Sequence, residues 1–228
     1  MTPALYLVPA TLGGAPAQVL PAPTIETVRA LRDFAVENAK SARAFLAALG
    51  MPCPVRELRI VPIDDAAAAL LAPLRAGRSL GVICDAGCPG VADPGQALVA
   101  AAHAAGHRVV PLVGPSSLLL ALMASGLEGQ RFAFRGYLPR DAAGRARRIR
   151  ALERASREAQ ETQIFIETPY RNDALLAALL DCCVPATRLC IAVDLTLPDE
   201  EIATRSIAQW RRARAAIGRR PAVFLLLA

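Results

Sequence analysis

Residues 79–99 read SLGVICDAGCPGVADPGQALV, and this stretch decides the fold. An apolar run over 80–84 meets the carboxylate of Asp85, then two turn segments, and then a helical pattern that begins at Gln96. This order predicts a buried strand, a glycine-rich loop and a helix. Such a unit places its loop at the carboxyl edge of a parallel sheet, where open α/β folds bind their ligands.

The glycines of this loop favour a binding function. Gly87 and Gly90 allow backbone conformations that other residues avoid, so main-chain groups can approach a ligand closely. Asp85 adds one fixed acceptor for an amine or a hydroxyl. The alternative is that the DAGCPG and DPG segments are ordinary turns, because Gly, Pro and Asp are the residues that turns use. The stretch alone leaves both interpretations open.

Strand and helix patterns alternate along the rest of the chain. Apolar runs predict strands at 5–8, 34–36, 56–62, 107–113, 132–135, 162–166, 189–196 and 221–227. Helical spacing predicts five helices in the first half of the chain. The first has Thr24 as its N-cap, and the second covers 37–50 with Gly50 as its C-cap. The other three begin at Asp64 and Asp65, at Gln96 (through Ala105) and at 114–117. The alternation up to residue 113 predicts a parallel sheet that is covered on both faces.

The pattern strand-DAG-x-P-x-x-x-DPG, followed further along by VVPLVGPSS, resembles the S-adenosylmethionine-dependent tetrapyrrole-methylase-like superfamily. Within it the chain is most similar to the small-subunit ribosomal RNA cytidine 2′-O-methyltransferases and their paralogues, from Leu5 to the closing PAVFLLLA. The resemblance implies an α/β fold with two domains. An N-terminal domain (1–114) has a mainly parallel sheet with helices on both faces, a C-terminal domain (115–228) has a mixed sheet, and S-adenosylmethionine lies in the cleft between them.

The resemblance also implies the residues that contact the cofactor, which are Leu12, Asp85, Gly87, Cys88, Ser116 and Ser117, with the second domain contributing near Pro169 and Ala222. Serines at a helix start offer N–H groups and hydroxyls to a ligand, although an ordinary N-cap explains them as well. For a ribose 2′-hydroxyl, our hypothesis is that Glu167 or Asp194 acts as base or orients the sugar, and that Lys40 or Arg171 holds a phosphate.

Four segments depart from the family pattern. Residues 12–14 read LGG where the family's loop usually ends in IGN, and residues 37–40 read ENAK where related RNA methyltransferases have EDTR. Residues 167–171 read ETPYR where they have ESPHR, and Asp194 stands in place of a Glu. These departures leave three function classes open. They are an RNA ribose methyltransferase, a small-molecule methyltransferase that acts on a tetrapyrrole or another metabolite, and a non-catalytic paralogue that binds the cofactor or a partner. The C-terminal extension usual in the ribosomal RNA enzymes is not seen, which fits the second class.

The charge balance suits an anionic partner. Lysine and arginine exceed aspartate and glutamate by 26 to 20, for a net charge of +6, although many basic proteins bind no nucleic acid. Two arginine clusters, within 145–157 and 211–220, predict a surface that contacts RNA phosphates of the small ribosomal subunit, with solvated helix faces as the alternative. Few aromatic residues accompany either cluster, so the sequence gives base stacking no support.

The cysteines and the hydropathy of the chain argue against a metal site and against a membrane span. The six cysteines form no CxxC pair and join no metal-ligand pattern with the two histidines, so we expect reduced thiols, a cytoplasmic protein and no metal site. No window approaches the roughly 20 uninterrupted apolar residues of a membrane span. Members of the superfamily are commonly homodimers, and the resemblance implies the same assembly here.

Overall fold

The computed structural model describes residues 3–63, 67–213 and 215–228. The chain divides into two compact units, residues 1–116 and residues 117–228, and each unit contains one five-stranded sheet. Among the described residues, no helix combines the length and the apolar character that crossing a membrane requires.

The first unit is built on a parallel sheet. Its strands are β1 (Ala4–Val8), β2 (Asp33–Val36), β3 (Arg59–Pro62), β4 (Leu80–Ile83) and β5 (Arg108–Pro111), in the order β3-β2-β4-β1-β5. Strand β4 comes from the SLGVICDAGCPGVADPGQALV segment, residues 79–99. It lies at the centre of the sheet, and its four residues are buried. The predicted parallel sheet is confirmed.

Helices cover both faces of this sheet. They are α1 (Pro16–Val19), α2 (Ala22–Ala30), α3 (Ala39–Ala48), α4 (Ala67–Leu70), α5 (Ala72–Arg75) and α6 (Gln96–Ala104), with a 3₁₀ turn at Val55–Glu57. Successive residues of β1 point to opposite faces. Tyr6 therefore packs in one apolar cluster with Phe34 and Leu46, and Leu5 packs in another with Leu71 and Leu98.

Two helix boundaries differ from the prediction. Thr24 lies inside α2, which begins after its N-cap residue Pro21 and has Pro23 in its first turn, where proline is tolerated. Its hydroxyl donates instead to the carbonyl oxygen of Val113, at 2.8 Å. The cap of α3 is Leu49, and Gly50 follows it with φ +67°, as helix C-termini favour. The helix start predicted at Asp64 and Asp65 lies outside the described residues.

The second unit has a mixed sheet. Its strands are β6 (Phe132–Tyr137), β7 (Thr162–Ile166), β8 (Arg188–Val193), β9 (Glu201–Ser206) and β10 (Ala222–Leu227), in the order β6-β7-β10-β8-β9. Only β6 and β7 pair in parallel; the other neighbours are antiparallel. Its helices are α7 (Ser117–Ser125), α8 (Ala142–Ala159), α9 (Asn172–Cys182) and α10 (Ile207–Ala213), with a 3₁₀ turn at Pro169–Arg171. The predicted α/β fold with one mainly parallel and one mixed sheet is confirmed.

The register of the second sheet gathers three chain segments at one edge. Ile166, the last residue of β7, pairs with Val223, and Val193, the last residue of β8, pairs with Ala222 at the start of β10. The ends of β7 and β8 and the start of β10 therefore share an edge. The residues that follow Ile166 and Val193 are Glu167 and Asp194.

Candidate functional site

In the first unit, the loop after β4 contacts the loops after β1 and β5. The carbonyl oxygen of Gly87 accepts the N–H of Ala10 at 2.8 Å, and a Cβ at Gly87 would lie 3.6 Å from the Leu12 side chain. The Cys88 thiol donates to the carbonyl oxygen of Pro115 at 3.4 Å. Leu12, Gly87 and Cys88 are thus brought together, beside the segment that leads to Ser116.

Asp85 is held by the segment that opens α3. Its carboxylate accepts the hydroxyl of Ser41, and its own N–H donates to the carboxylate of Glu37 at 3.1 Å. Asn38 caps α3 by accepting the N–H of Lys40 at 2.9 Å. The side chain of Lys40 is exposed, so its ammonium group is available to a ligand.

A cavity of about 300 Å³ opens beside Asp85. Thr11, Ser41 and Asp85 contribute polar groups to its lining, and Ala42 and Phe45 contribute apolar ones. This volume and mixture of groups are typical of pockets for small molecules that carry both an apolar and a charged part.

Behind the loop lies a cluster of acidic groups. The side-chain ligand atoms of Glu37, Cys84 and Asp93 all lie within 4.8 Å of one another. Burial, together with the nearby Glu37 and Asp85, raises the pKa of Asp93 to about 6. Burial, followed by the charge of Asp93, raises the pKa of Cys84 to about 12, so this residue is a neutral thiol that donates to the Pro94 carbonyl. Carboxylates held this close together favour a positively charged ligand group over a negatively charged one.

In the second unit, Glu167 is a buried carboxylate, with 1% of its side chain exposed. Its Oε1 atom accepts the N–H of Thr168 at 2.7 Å and the guanidinium of Arg171, whose Nε lies 3.1 Å away. Its Oε2 atom is buried and has no hydrogen-bond partner among the described residues. Because an unpaired buried acceptor is costly, this oxygen is suited to accept a hydrogen bond from a ligand.

Asp194 lies at the same edge in a turn with unusual backbone angles. Asp194 and Thr196 have φ values of +51° and +70°, which residues other than glycine adopt rarely and often at functional sites. Arg220 lies 3.5 Å from the Asp194 carboxylate and 3.0 Å from that of Glu201. β10 lies between β7 and β8, so Glu167 and Asp194 follow two strands that are not neighbours in the sheet.

The remaining predicted residues are divided between the two units. Pro169 begins the 3₁₀ turn that follows Glu167, and Ala222 begins β10. Ser116 ends the first unit and Ser117 begins α7 in the second. The structure therefore places Glu167, Pro169, Arg171, Asp194 and Ala222 together at the edge of the second sheet.

A family model for tetrapyrrole (corrin/porphyrin) methylases matches residues 17–210 of the chain. The chain belongs to the tetrapyrrole methylase family. Ribosomal RNA small subunit methyltransferase I of Mesorhizobium japonicum is 35% identical to this methylase over 207 residues, which cover 91% of the chain and 68% of that protein. The protein of the same name from Pseudomonas aeruginosa is 34% identical over 185 residues, 80% of the chain and 64% of that protein. The methylase thus spans about two thirds of the length of these relatives.

A solved structure of the same family confirms the fold. Uroporphyrin-III C-methyltransferase from Thermus thermophilus, complexed with S-adenosylhomocysteine, superimposes on the methylase with a TM-score of 0.60 at 19% identity. The match covers 98% of this chain and 97% of that one.

The two arginine clusters of the methylase differ in their surroundings. In α8, Arg147, Arg150, Arg154 and Arg157 are exposed and recur at intervals of three and four residues, which places them on one helix face. None of them forms an ion pair with a described residue. In the second cluster, Arg211 donates to carbonyls at the end of α9, and Arg220 pairs with carboxylates. Arg214 of that cluster lies outside the described residues.

The acidic cluster is the feature of this methylase that sequence reasoning missed. Glu37 follows the end of β2, Cys84 follows the end of β4, and Asp93 lies in the loop after β4. β2 and β4 are neighbours in a parallel sheet, so the residues after them meet at one edge. The sequence shows that Glu37 and Cys84 each follow a strand, but it does not show that these two strands are neighbours in the sheet.

Proposed function

We propose that this methylase transfers the methyl group of S-adenosylmethionine to a ribose 2′-hydroxyl of small-subunit ribosomal RNA. The observation that carries the proposal is its similarity, over most of the chain, to relatives named ribosomal RNA small subunit methyltransferase I. The structure supports it with a folded DAG-x-P-x-x-x-DPG loop and a buried carboxylate at the edge of the second sheet.

The first unit has features that fit S-adenosylmethionine. When bound, this cofactor supplies a methyl group that its sulfonium has already activated. Asp85 and the acidic cluster of Glu37, Cys84 and Asp93 complement a positively charged ligand, and the adjacent cavity offers both polar and apolar walls. In our proposal Leu12, Asp85, Gly87, Cys88, Ser116 and Ser117 contact the cofactor from the loops, and Pro169 and Ala222 contribute from the second unit.

Glu167 has the surroundings of a residue that handles the acceptor hydroxyl. Arg171 and the N–H of Thr168 hold its Oε1 atom, which fixes the side chain and leaves Oε2 for a hydroxyl hydrogen. A positioned carboxylate can take the proton as the methyl group is transferred, or orient the sugar. Asp194, with Arg220 beside it, is the second candidate for this role.

Phosphate contacts are proposed for Lys40, for Arg171 and for the arginine face of α8. The four exposed arginines of that face, Arg147, Arg150, Arg154 and Arg157, each add a salt-sensitive contribution to RNA affinity. The second cluster contributes less in this proposal, because Arg211 and Arg220 already bind groups of the protein. We further propose that the methylase acts in the cytoplasm as a homodimer.

Calorimetric titration with S-adenosylhomocysteine tests the cofactor site. We expect micromolar affinity, about −8 kcal/mol, and a loss of at least tenfold in Asp85→Ala. Asp181→Ala removes an exposed carboxylate from α9 and serves as the matched control, with unchanged affinity. Equal affinities for the wild type and Asp85→Ala would contradict the site.

Transfer of a labelled methyl group tests the acceptor. Isolated small ribosomal subunits should become labelled, and large subunits and tetrapyrroles serve as controls. Labelling of a tetrapyrrole alone would favour the small-molecule alternative. Binding of the cofactor without any transfer would favour the non-catalytic one.

A further inference from the structure

Tyr170 is an exposed aromatic residue beside the buried Glu167. It lies in the 3₁₀ turn Pro169–Arg171 and is 78% exposed. The guanidinium carbon of Arg219 lies over its ring, 5.1 Å from the ring centroid. The ring is thus covered on one face by a cation and is largely open to solvent elsewhere.

The segment that carries Arg219 is held in place by the first turn of α9. Asp173 accepts the N–H of Ile217 at 2.7 Å and the N–H of Gly218 at 3.2 Å. Asn172, which is fully buried, donates to the carbonyl oxygen of Arg220 at 2.7 Å. Side chains from one turn therefore fix the backbone on both sides of Arg219.

The turn that carries Tyr170 is fixed in the same way. The N–H of Arg171 donates to the carbonyl oxygen of Thr168 at 2.9 Å, and its guanidinium pairs with Glu167. The aromatic ring and the cation are consequently presented by two ordered segments. An arrangement that is already ordered loses little conformational entropy when a ligand binds.

An exposed aromatic ring with a stacked arginine is the chemistry that recognises unpaired nucleobases. Proteins bind single-stranded RNA by stacking bases on aromatic side chains or on guanidinium planes, and every base offers a face for such contact. A guanidinium over the ring adds a cation–π interaction and a positive charge for the neighbouring phosphate. Few aromatic residues accompany the arginine clusters along the sequence, but the fold brings Tyr170 beside Arg219.

We propose that Tyr170 and Arg219 form a stacking platform for a nucleobase of the RNA substrate, next to the carboxylate of Glu167. This inference rests on the proposed function, because it names how the RNA would be positioned at that same edge of the second sheet. The platform orders one unpaired nucleotide so that its ribose, or that of its neighbour, lies near Glu167.

Fluorescence anisotropy with a labelled single-stranded oligonucleotide of small-subunit ribosomal RNA sequence tests the platform directly. Tyr170→Ala should weaken RNA binding about 5- to 100-fold, the range that loss of one base stack produces. Tyr170→Phe, which keeps the ring, should bind within twofold of the wild type. Phe132→Ala removes another exposed aromatic ring of the same unit, at the opposite end of β6, and should have no effect.

Affinity for S-adenosylhomocysteine, measured on the same proteins, should be equal in all of them. The platform is contradicted if the oligonucleotide does not bind the wild type, if Tyr170→Ala binds it as well as the wild type, or if Tyr170→Phe loses as much affinity as Tyr170→Ala. Binding that depends on the Tyr170 ring in a protein that methylates no ribosomal RNA would contradict the proposed function and leave the platform in place.

Discussion

At the scale of single residues, Glu167 combines two properties that seldom occur together. One carboxylate oxygen is fixed by Arg171 and the N–H of Thr168, and the other is buried without a partner among the described residues. A residue needed only for stability would be expected to have both oxygens satisfied. The unpaired Oε2 atom is therefore the observation that supports our proposal that Glu167 handles the acceptor hydroxyl.

Glu167→Gln should lower kcat for methyl transfer to RNA by about 100-fold or more, because an amide cannot take a proton from the hydroxyl. Its carbonyl oxygen can still accept from Arg171, so the affinity for S-adenosylhomocysteine and the melting temperature should change little. Glu161→Gln, at another carboxylate that pairs with an arginine, is the control and should keep full activity. A Glu167→Gln enzyme with wild-type kcat would remove Glu167 from the mechanism.

Asp93→Asn should alter the pH dependence of stability. The pKa of Asp93 rises from 3.8 in the unfolded chain to about 6 in the folded protein, so the folded state holds this proton more tightly. The stability that the proton contributes is complete below pH 3.8 and is lost as the pH rises through about 6. Above that pH the wild type carries a half-buried carboxylate beside Glu37 and Asp85, and the asparagine variant does not.

The full pKa shift of Asp93 corresponds to a change of about 3 kcal/mol in the free energy of unfolding. Solvent screening at this half-buried carboxylate reduces that change to about 1 kcal/mol. Above pH 6 the melting temperature of Asp93→Asn should therefore exceed that of the wild type by about 2–4 °C. The difference should disappear near pH 4. Thermal unfolding at several pH values measures this, and a constant difference at every pH would contradict the assignment.

At the scale of elements, the loops after β1 and β5 depend on close backbone packing. A Cβ atom at Gly114 would lie 2.2 Å from the Pro9 ring, a distance that two carbon atoms cannot adopt without movement. Gly114→Ala should destabilise the protein by about 1–3 kcal/mol through overpacking and should weaken cofactor binding, because the loop to Ser116 must shift. Gly129→Ala is the control, since its added Cβ meets no atom within 4 Å.

Thermal unfolding and calorimetric titration measure both effects. A Gly114→Ala variant with wild-type stability would show that the two loops are not packed as described.

Some strands and helices could be predicted from the sequence, and others could not. Strand β4 and helix α6 are clear because a buried central strand is continuously apolar and a glycine-rich loop separates it from a helix. Strand β9 was not predicted. It is an edge strand with exposed polar residues, so it lacks the apolar run that identified the others. Its pairing with β8 becomes visible only in the folded sheet.

At the scale of the whole molecule, the arginines that contribute to the net charge of +6 are of two kinds. Some are exposed to solvent, and others bind groups of the protein. The arginine face of α8 forms no ion pairs with described residues, whereas Arg211 and Arg220 bind groups of the protein itself. Composition predicted an affinity for anions, but it could not separate these two kinds of arginine. The separation depends on which arginines find carbonyl or carboxylate oxygens after folding.

Replacing Arg147, Arg150, Arg154 and Arg157 together by glutamine should reduce the salt dependence of RNA binding. The slope of log K against log salt is negative, and each lost phosphate contact reduces its magnitude by about 0.7 for single-stranded RNA. The magnitude should therefore decrease by up to about 3 in the fourfold variant. Arg211→Gln is the contrasting variant. It should lower the melting temperature, because it removes donors from the end of α9, and leave the slope unchanged.

Anisotropy titrations at several salt concentrations measure the slope. An unchanged slope in the fourfold variant would show that RNA does not bind this helix face.

The sequence predicted only part of the candidate site, because it identifies residues of continuous motifs and not residues that folding brings together. Asp85, Gly87 and Glu167 belong to continuous motifs, so the sequence could identify them. The acidic cluster and the contact of Tyr170 with Arg219 join residues that are distant in the chain. Only strand order and register bring such residues together.

The identity of the methylated atom tests the proposed ribose methylation. Small ribosomal subunits that lack the modification are incubated with the protein and S-adenosylmethionine carrying an isotopically labelled methyl group, and the RNA is digested to nucleosides for mass spectrometry. We expect the label on the ribose of one nucleoside, and at least about 100-fold slower labelling when Glu167→Gln replaces the wild type. Label on a base, or no label in RNA from a protein that binds S-adenosylhomocysteine, would contradict it.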